Sequence, residues 1–378
     1  MKISFVLPFK SLNGGIKVIL EYANHLYDRG HYVTIIYPLL PYYFGEKNLN
    51  LKERYWQLRG LLSNLIRGNK IDWFPLKANL IRVPWISDFF FPKNDIVVAT
   101  AWPTAYSVYK LHKSKGMKFY FIQHHEIWKG PIQKIENSYR LPLFQIVIAS
   151  WLKRLTEDKY NNKNAVTINN GVSFKSFYND YKNFNKIPCL LIMYHQLEWK
   201  GLKDAFEAIE LVRSKHPNIK LVMFGTKKGK DIPNYVEFHL KPTLIELREL
   251  YSSCDIFISA SWVEGCQLPP MEAMACKCAV VASNVGGIPD YAVAGKTALV
   301  FEPKDVQTMA QLIIKLIENP NELKRISYAG YNHIKNFTWE KATNKLEAIF
   351  GSQSEHPTDE NFKEQLQNRT DKAIDASH

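Results

Sequence analysis

Five cysteines are too few, and too unevenly placed, to build a disulfide framework or a zinc site. Cys189, Cys254, Cys266, Cys276 and Cys278 all fall in the second half of a 378-residue chain, and no two stand as C-x-x-C. Buried thiols in a reduced compartment fit that pattern. No apolar run reaches the roughly 20 residues of a membrane span. The longest, Leu143 to Leu152, is interrupted by Gln145 and Ser150. The opening Met1-Lys-Ile-Ser-Phe-Val-Leu-Pro8 is too short for a signal peptide and reads as a strand followed by a loop. A cytoplasmic chain without transmembrane helices is expected.

Other signatures are missing too. No G-x-G-x-x-G follows a strand, which removes the usual dehydrogenase fingerprint. In Gly225-Thr-Lys-Lys-Gly229-Lys230-Asp231 the glycines stand one residue too close for a P-loop, and Asp231 replaces the required hydroxyl. No recognition-helix or zinc pattern supports nucleic acid. Acidic residues are scarce: 36 Asp and Glu against 49 Lys and Arg leave a net charge of +13, which favours an anionic partner. What is present, 46% hydrophobic and 22% charged residues, is the composition of a globular protein with a sizeable core. The length suggests two domains.

The first stretch is apolar from Ile3 to Leu7, then a glycine loop (Ser11-Leu-Asn-Gly14-Gly15), then an amphipathic run through Val18, Leu20, Tyr22 and Leu26 that stops at Gly30. With apolar Tyr32 to Tyr37 it makes a βαβ unit. Strands at Ile96 to Ala99, Lys118 to Ile122 and Ile146 to Ala149 extend this parallel domain to about residue 165. The polar stretch Tyr178 to Lys186 reads as a linker. Beyond it, strands at Cys189 to Met193, Ile219 to Phe224, Asp255 to Ser259 and Ala279 to Ala282 alternate with helices at Leu202 to Arg213, Thr243 to Tyr251 and Met271 to Cys276. The fold class is therefore α/β, with two doubly wound sheets in tandem facing a cleft, and function is expected in the loops at the carboxyl ends of the strands.

One region of the first domain stands apart. Between Lys52 and Arg82, seven basic residues (Lys52, Arg54, Arg59, Arg67, Lys70, Lys77, Arg82) face only Glu53 and Asp72, with Trp56, Leu61, Leu62, Leu65 and Trp73 interleaved. Two readings stand: a surface helix that lies on anionic lipid, or an ordinary amphipathic helix with a solvated face. Trp85 and Phe89-Phe90-Phe91 either line an acceptor groove or pack in the core.

The segment richest in chemistry is Ser259-Ala-Ser-Trp-Val-Glu264-Gly-Cys-Gln-Leu-Pro-Pro-Met-Glu272-Ala-Met-Ala-Cys276. Gly265 and Pro269-Pro270 argue for a loop followed by a helix starting near Pro269. Glu264 then lies in the loop, and Glu272 in the first helical turn, directed at the same opening. Between them the N–H groups of Cys266, Gln267 and Leu268 precede a helix N-terminus, where unpaired donors and the dipole favour a phosphate. A diphosphate flanked by carboxylates that accept from sugar hydroxyls suits a sugar nucleotide. Lys200, in Tyr194-His-Gln-Leu-Glu-Trp-Lys-Gly-Leu202 after the first strand of the second domain, supplies the cation.

These pieces resemble the retaining, nucleotide-sugar-dependent glycosyltransferases with two Rossmann-like domains, the GT-B type of group 1 or family 4. The resemblance covers about residues 1–350. It rests on Asn13-Gly14-Gly15, Ile168-Asn-Asn-Gly-Val172, His195 to Gly201, Glu264 to Glu272 with Glu-Ala-Met-Ala, and Val285-Gly-Gly-Ile-Pro-Asp290, in that order. It implies an acceptor-binding domain over 1–170 completed by a C-terminal helix at about 335–350, a donor domain over 183–334 and a mobile tail over 352–378.

By this likeness, Glu272 binds the donor ribose, Glu264 contacts the donor sugar and stabilises charge at its anomeric carbon, and Lys200 holds the diphosphate as it leaves. His195 and the amides of Cys266, Gln267 and Leu268 complete the donor site, and Gly14 and Gly15 let the first loop approach it. A histidine near the sugar maps onto Gln123-His124-His125-Glu126, with His124 favoured and His125 the alternative.

The expected reaction is retaining transfer of a sugar from a nucleoside diphosphate to a glycan or lipid-linked glycan. It is expected to serve cell-surface polysaccharide synthesis, in the cytoplasm or peripherally at the inner face of an anionic membrane. No cofactor and no metal is expected, since no Asp-x-Asp pair is present. Three departures bear on the donor: His195 stands where the family usually has arginine, Gln267 where it has glycine, and Asp290 where glutamate is commoner. His195 also makes a second class worth naming, a nucleotide-sugar-binding partner subunit without transfer activity, although both Glu264 and Glu272 are retained.

Overall fold

The computed structural model describes residues 1–45, 51–66, 69–127, 130–230 and 232–355. Arg67, Asp231 and the tail from residue 356 lie outside the described residues. Two compact units divide the chain, the first made of Met1–Ile168 with the segment from Ala342 onward, the second of Asn169–Lys341.

The first unit runs β1 (Lys2–Val6), α1 (Gly14–Asp28), β2 (Tyr32–Pro38), α2 (Leu51–Ile66), β3 (Asn79–Val83), β4 (Ile96–Ala99) and α3 (Trp102–Lys110). It continues with β5 (Met117–Ile122), α4 (Ile132–Ser138), β6 (Phe144–Val147), α5 (Ser150–Asp158) and β7 (Val166–Thr167). The second unit opens with β8 (Cys189–Met193), α6 (Leu202–Lys215), β9 (Lys220–Gly225), β10 (Val236–Leu240), α7 (Leu244–Ser253) and β11 (Ile256–Ser259). It closes with α8 (Leu268–Ala275), β12 (Ala279–Ser283), α9 (Ile288–Tyr291), β13 (Leu299–Phe301), α10 (Val306–Glu318) and α11 (Pro320–Ile334), after which α12 (Trp339–Glu355) ends the described chain.

The sheets are ordered β3-β2-β1-β4-β5-β6-β7 and β10-β9-β8-β11-β12-β13, and every paired strand is parallel. Parallel sheets need cover on both faces, and their strands are correspondingly apolar at nearly every position. In β8, Leu190 and Ile192 point to a layer formed with Ala205, Ile209 and Val212 of α6 and with Met309 and Ile313 of α10. Leu191, between them, points to the opposite layer, with Tyr251 of α7 and Met271 and Met274 of α8. The same two-residue alternation divides Phe257 from Ile256 and Ile258, and Val280 from Ala279 and Val281. The α/β, doubly wound class expected from the sequence is what the structure shows.

Between Lys52 and Arg82 there is no single helix: α2 ends at Ile66 and the edge strand β3 begins at Asn79. Phe91 is buried, whereas Trp85 and Phe89 are exposed. The stretch from Tyr178 to Lys186 packs on the second unit. There Asn179 donates to the carbonyls of Ser252 and Cys276, and Lys182 to those of Ser252 and Cys254. The Lys182 ammonium also stands 3.5 Å from the Asp255 carboxylate, both side chains fully buried. Its polar composition is spent on carbonyls at the ends of α7 and α8, which a free linker would leave to water.

After Lys341 the chain returns to the first unit. Phe350 of α12 is fully buried and meets the Phe119 ring edge-on at 4.9 Å, while Glu347 takes Arg29 at 2.6 Å and His31 at 2.7 Å. Removing the Phe350 ring leaves a cavity where β5 is covered. We predict that Phe350→Ala lowers stability by about 3–5 kcal/mol, measured by chemical denaturation, whereas Glu347→Gln, at a part-exposed pair, costs about 1 kcal/mol or less.

Candidate functional site

In the second unit β8 and β11 are neighbours although two strands separate them in sequence. The chain winds away from them in opposite directions, and such a switch point opens a crevice at the carboxyl ends. Two loops flank it, one after β8 up to Gly201 and one after β11 up to Gln267. They are tied together by the Trp262 N–H donating to the Trp199 carbonyl at 2.7 Å. Across that tie the Lys200 ammonium reaches Oε1 of Glu264 at 2.5 Å, and the Ser261 hydroxyl donates to the same oxygen at 2.8 Å. The two residues singled out as cation and acid are thus an ion pair.

Gly201 makes this approach possible. Its φ of +64° lies in the left-handed region, and a Cβ there would come within 1.9 Å of the Ala260 carbonyl oxygen. A second close approach comes from Val285-Gly-Gly-Ile-Pro-Asp290. A Cβ on Gly286, at φ +60°, would lie 2.7 Å from the Glu264 carbonyl oxygen, and one on Gly287 would lie 2.9 Å from Cys266 Sγ. Asp290 accepts from the Asn169 side chain at 3.0 Å, which joins the Ile168-to-Val172 motif to the same cluster. Burial, with Asp290 and Glu264 nearby, pushes the Cys266 thiol up to about 12, so it stays neutral.

Helix α8 begins at Leu268, with Gln267 as an extended N-cap residue and a proline in the first turn. Glu272 accordingly sits in the second turn, where the sequence placed it in the first. It is 6% exposed, and the Tyr251 hydroxyl donates to its Oε2 at 3.1 Å. Burial holds the Tyr251 hydroxyl far above its ordinary range, so it remains a donor. Gln267 is anchored through Oε1 by the Ser259 hydroxyl at 2.5 Å and through its carbonyl by the Tyr291 hydroxyl at 3.0 Å. Among the described residues, the backbone N–H groups of Cys266, Gln267 and Leu268 make no hydrogen bond. They form the unsatisfied donor set of a helix N-terminus.

His195 lies on the same side. Its Nδ1 accepts from the Leu197 N–H at 3.1 Å, which leaves Nε2 as the protonated nitrogen of the neutral ring. Burial, then the charge of Lys200, lowers its pKa, opposed by Glu264. The imidazole is therefore uncharged at neutral pH.

The remaining candidates belong to the first unit. Asn13 caps α1 by accepting from the Gly15 N–H at 2.9 Å. A Cβ on Gly15 would lie 3.3 Å from the Gln123 amide nitrogen, so the glycine loop after β1 adjoins the end of β5; around Gly14 there is open space. His124 places Nδ1 3.2 Å from the His125 carbonyl and packs edge-on to Trp151. His125 is enclosed instead: Nε2 meets the Tyr160 hydroxyl at 2.7 Å and the ring packs against Tyr139 and Tyr160. Sequence reasoning missed Glu126, which accepts from the Trp102 N–H at 2.7 Å and is raised by burial to about 7. It also missed Ser261 and Tyr251, which carry no motif and are recognisable only once their carboxylate partners are in place.

Comparison with known proteins bears on this arrangement. Residues 175–333 match the family model for glycosyl transferases group 1. The chain is 26% identical over 215 residues to an uncharacterized glycosyltransferase of Methanocaldococcus jannaschii, covering 54% of this chain and 58% of the relative. It is 23% identical over 237 residues to the capsular polysaccharide biosynthesis glycosyltransferase CapM of Staphylococcus aureus, covering 55% and 61%. With the O-antigen chain mannosyltransferase B of Escherichia coli it shares 33% identity over 158 residues, covering 38% and 40%. The chain thus matches less than two thirds of each of these relatives. Among solved structures, a sucrose-phosphate synthase from Thermosynechococcus elongatus superposes with a TM-score of 0.71 at 15% identity, covering 93% of this chain and 98% of that one. The Anabaena protein HepE in complex with UDP superposes with a TM-score of 0.66 at 13% identity, covering 93% and 100%. Both share the fold.

The tightness at Gly201 is directly testable. Gly201→Ala meets a backbone oxygen and adopts a left-handed conformation that costs a non-glycine residue about 1–2 kcal/mol before the clash is counted. We expect a thermal-stability loss of at least that size, which a Lys203→Ala control, on the exposed face of α6, does not share.

Proposed function

Because residues 175–333 match the model for glycosyl transferases group 1, we propose that the chain is a group 1 glycosyltransferase of the GT-B type that transfers a sugar, with retention of anomeric configuration, from a nucleoside-diphosphate sugar to a glycan or lipid-linked glycan. The observation that carries this reading is the Lys200–Glu264 pair beside the unused N–H groups that open α8. A nucleoside diphosphate needs a cation and backbone donors for its phosphates. Its sugars need carboxylates to accept their hydroxyls.

In this reading Lys200 exchanges part of its bond to Glu264 for the β-phosphate. The amides of Cys266, Gln267 and Leu268 take the remaining phosphate oxygens. Glu264, released toward the donor sugar, faces the positive charge that develops at the anomeric carbon as the diphosphate departs. The acceptor hydroxyl then attacks from the side the leaving group vacates, its oxygen replacing the diphosphate oxygen on the anomeric carbon and its proton passing to the departing diphosphate. Donors held ready for the charge that forms in the transition state are worth several kcal/mol. Glu272, oriented by Tyr251, takes the ribose hydroxyls. Lys200 and the α8 N-terminus supply the positive charge that a divalent ion would otherwise bring, so transfer proceeds in EDTA.

The capsular-polysaccharide and O-antigen relatives support a place in cell-surface polysaccharide synthesis, and the UDP complex of a like-folded protein supports a nucleotide as ligand. A lipid-linked acceptor would bring the protein to the inner face of the membrane as a peripheral protein. No helix among the described residues is long and apolar enough to cross one. The neutral His195 favours one other reading, a partner subunit that binds the donor without transferring it.

Calorimetric titration of UDP, GDP, dTDP and ADP in EDTA, with and without their common sugars, tests the donor site. Micromolar binding of one of them is expected, weakened at least tenfold in Lys200→Ala. Glu264→Ala should retain binding and lose roughly 10²–10³-fold in turnover. Unchanged turnover would sink the mechanism, and wild-type binding with no transfer would select the partner-subunit reading. His195 adds a pH test. Its pKa is lowered, so the ring gains its proton only below the ordinary histidine range, and a bound diphosphate favours the charged ring. Donor affinity should therefore rise as pH falls below the ordinary histidine range, and His195→Gln should remove that component of the slope.

A further inference from the structure

Helix α2 is built inside out. The residues it turns toward the first unit are Gln57, Gly60, Leu61 and Asn64. Gly60 allows close contact, since a Cβ there would lie 2.9 Å from the Pro41 ring. Asn64 is buried, donates to the Leu39 carbonyl at 2.8 Å, and through its own carbonyl accepts from Arg82. The helix is thus fastened by hydrogen bonds and a glycine contact in place of an apolar stripe.

The apolar residues lie on the other side. Tyr55, Trp56, Leu58, Leu62, Leu65 and Ile66 are all about half exposed or more, Ile66 reaching 81%. At about 100° per residue, Tyr55, Leu58, Leu62, Leu65 and Ile66 fall in one stripe about 100° wide along the helix. Arg54 borders it on one side and Arg59 on the other. The Arg59 guanidinium rests 5.2 Å from the Trp56 ring centre, and Arg59, Leu62, Ser63 and Ile66 line a shallow groove. A folded unit spends apolar side chains inward unless something else is to cover them.

We infer that α2 is the surface by which this protein lies on an anionic lipid bilayer. Charge identifies the occupant. An apolar stripe that includes Tyr55 and is edged by arginines, one of them resting against Trp56, matches the boundary between acyl chains and anionic headgroups, and the chain carries a net +13. The loop leaving the edge strand β3 adds exposed aromatic side chains, Trp85 at 60% and Phe89 at 88%. Residues 356–378, with Phe362, Leu366 and Ile374 as their bulky apolar side chains, are too polar to cover such a stripe. The inference deepens the membrane placement proposed above and rests on α2, independently of whether sugar is transferred.

Co-sedimentation of the full chain with phosphatidylcholine vesicles, with and without phosphatidylglycerol, tests it at low and high salt. The wild-type protein should bind the anionic vesicles alone, and salt should weaken binding. Arg54→Gln with Arg59→Gln should weaken it roughly 25-fold, about fivefold per arginine, and Leu62→Ser with Ile66→Ser should abolish it. Because the replaced side chains are exposed, thermal unfolding and nucleotide calorimetry should match the wild type in both variants. Failure of the wild type to bind anionic vesicles overturns the inference, as does undiminished binding by the variants. A wild-type dimer that Leu62→Ser with Ile66→Ser returns to monomer would assign the stripe to a second copy and overturn it equally. Vesicle binding without nucleotide binding would leave the surface standing and remove the transfer reading.

Discussion

The contact between Lys200 and Glu264 is the constraint around which the second unit's loops are arranged. Neither loop could present its charge alone: the turn carrying Lys200 closes only because Gly201 has no side chain to strike Ala260, and the loop carrying Glu264 is pressed from behind by Gly286. Ser261 and the Trp262–Trp199 bond fix the remaining freedom. A cation and a carboxylate held together before any ligand arrives keep each other from an uncompensated charge in a part-buried place. A diphosphate can then enter by substitution for a partner already there, without first burying a bare anion.

How much of this was legible in the sequence depends on the range of the interactions. Strand alternation and glycine loops are local, so β1, β2, β8, β9, β11 and β12 could be read directly. The short edge strands β3, β7, β10 and β13 were not read, being half exposed or only two to five residues long. The lysine and the two glutamates were legible because each sits at a strand end or helix start. That Lys200 and Glu264 touch was not, because a contact across 64 residues leaves no periodic trace. Glu272 falls in the second turn because α8 starts at Leu268, one residue before the start expected near Pro269. Tyr251, 21 residues from Glu272, was invisible for the same reason as the ion pair, whereas Ser261 lies three residues from Glu264 and belongs to no recognised motif.

The stretch around Lys182 shows the opposite error. A run of Asn, Lys and Asp looks solvated, yet here it caps carbonyls at the ends of α7 and α8 and buries an ammonium against Asp255. Asp255 in turn accepts from the Cys189 N–H at 2.9 Å and from Asn185 at 2.7 Å. Composition reports the mean affinity of a segment for water. It is silent on whether each polar atom has a partner elsewhere in the fold.

The return of α12 has a consequence in time. Phe119 is synthesised early and Phe350 late, with the whole second unit between them. At roughly 5–20 residues per second, the first sheet stands at the ribosome for on the order of 10–40 s with the apolar ground beneath Phe350 open. The second unit, continuous in the chain, can close its core while the first still waits. The part made first is therefore the part finished last, and in that interval a nascent chain depends on whatever else in the cell will cover β5.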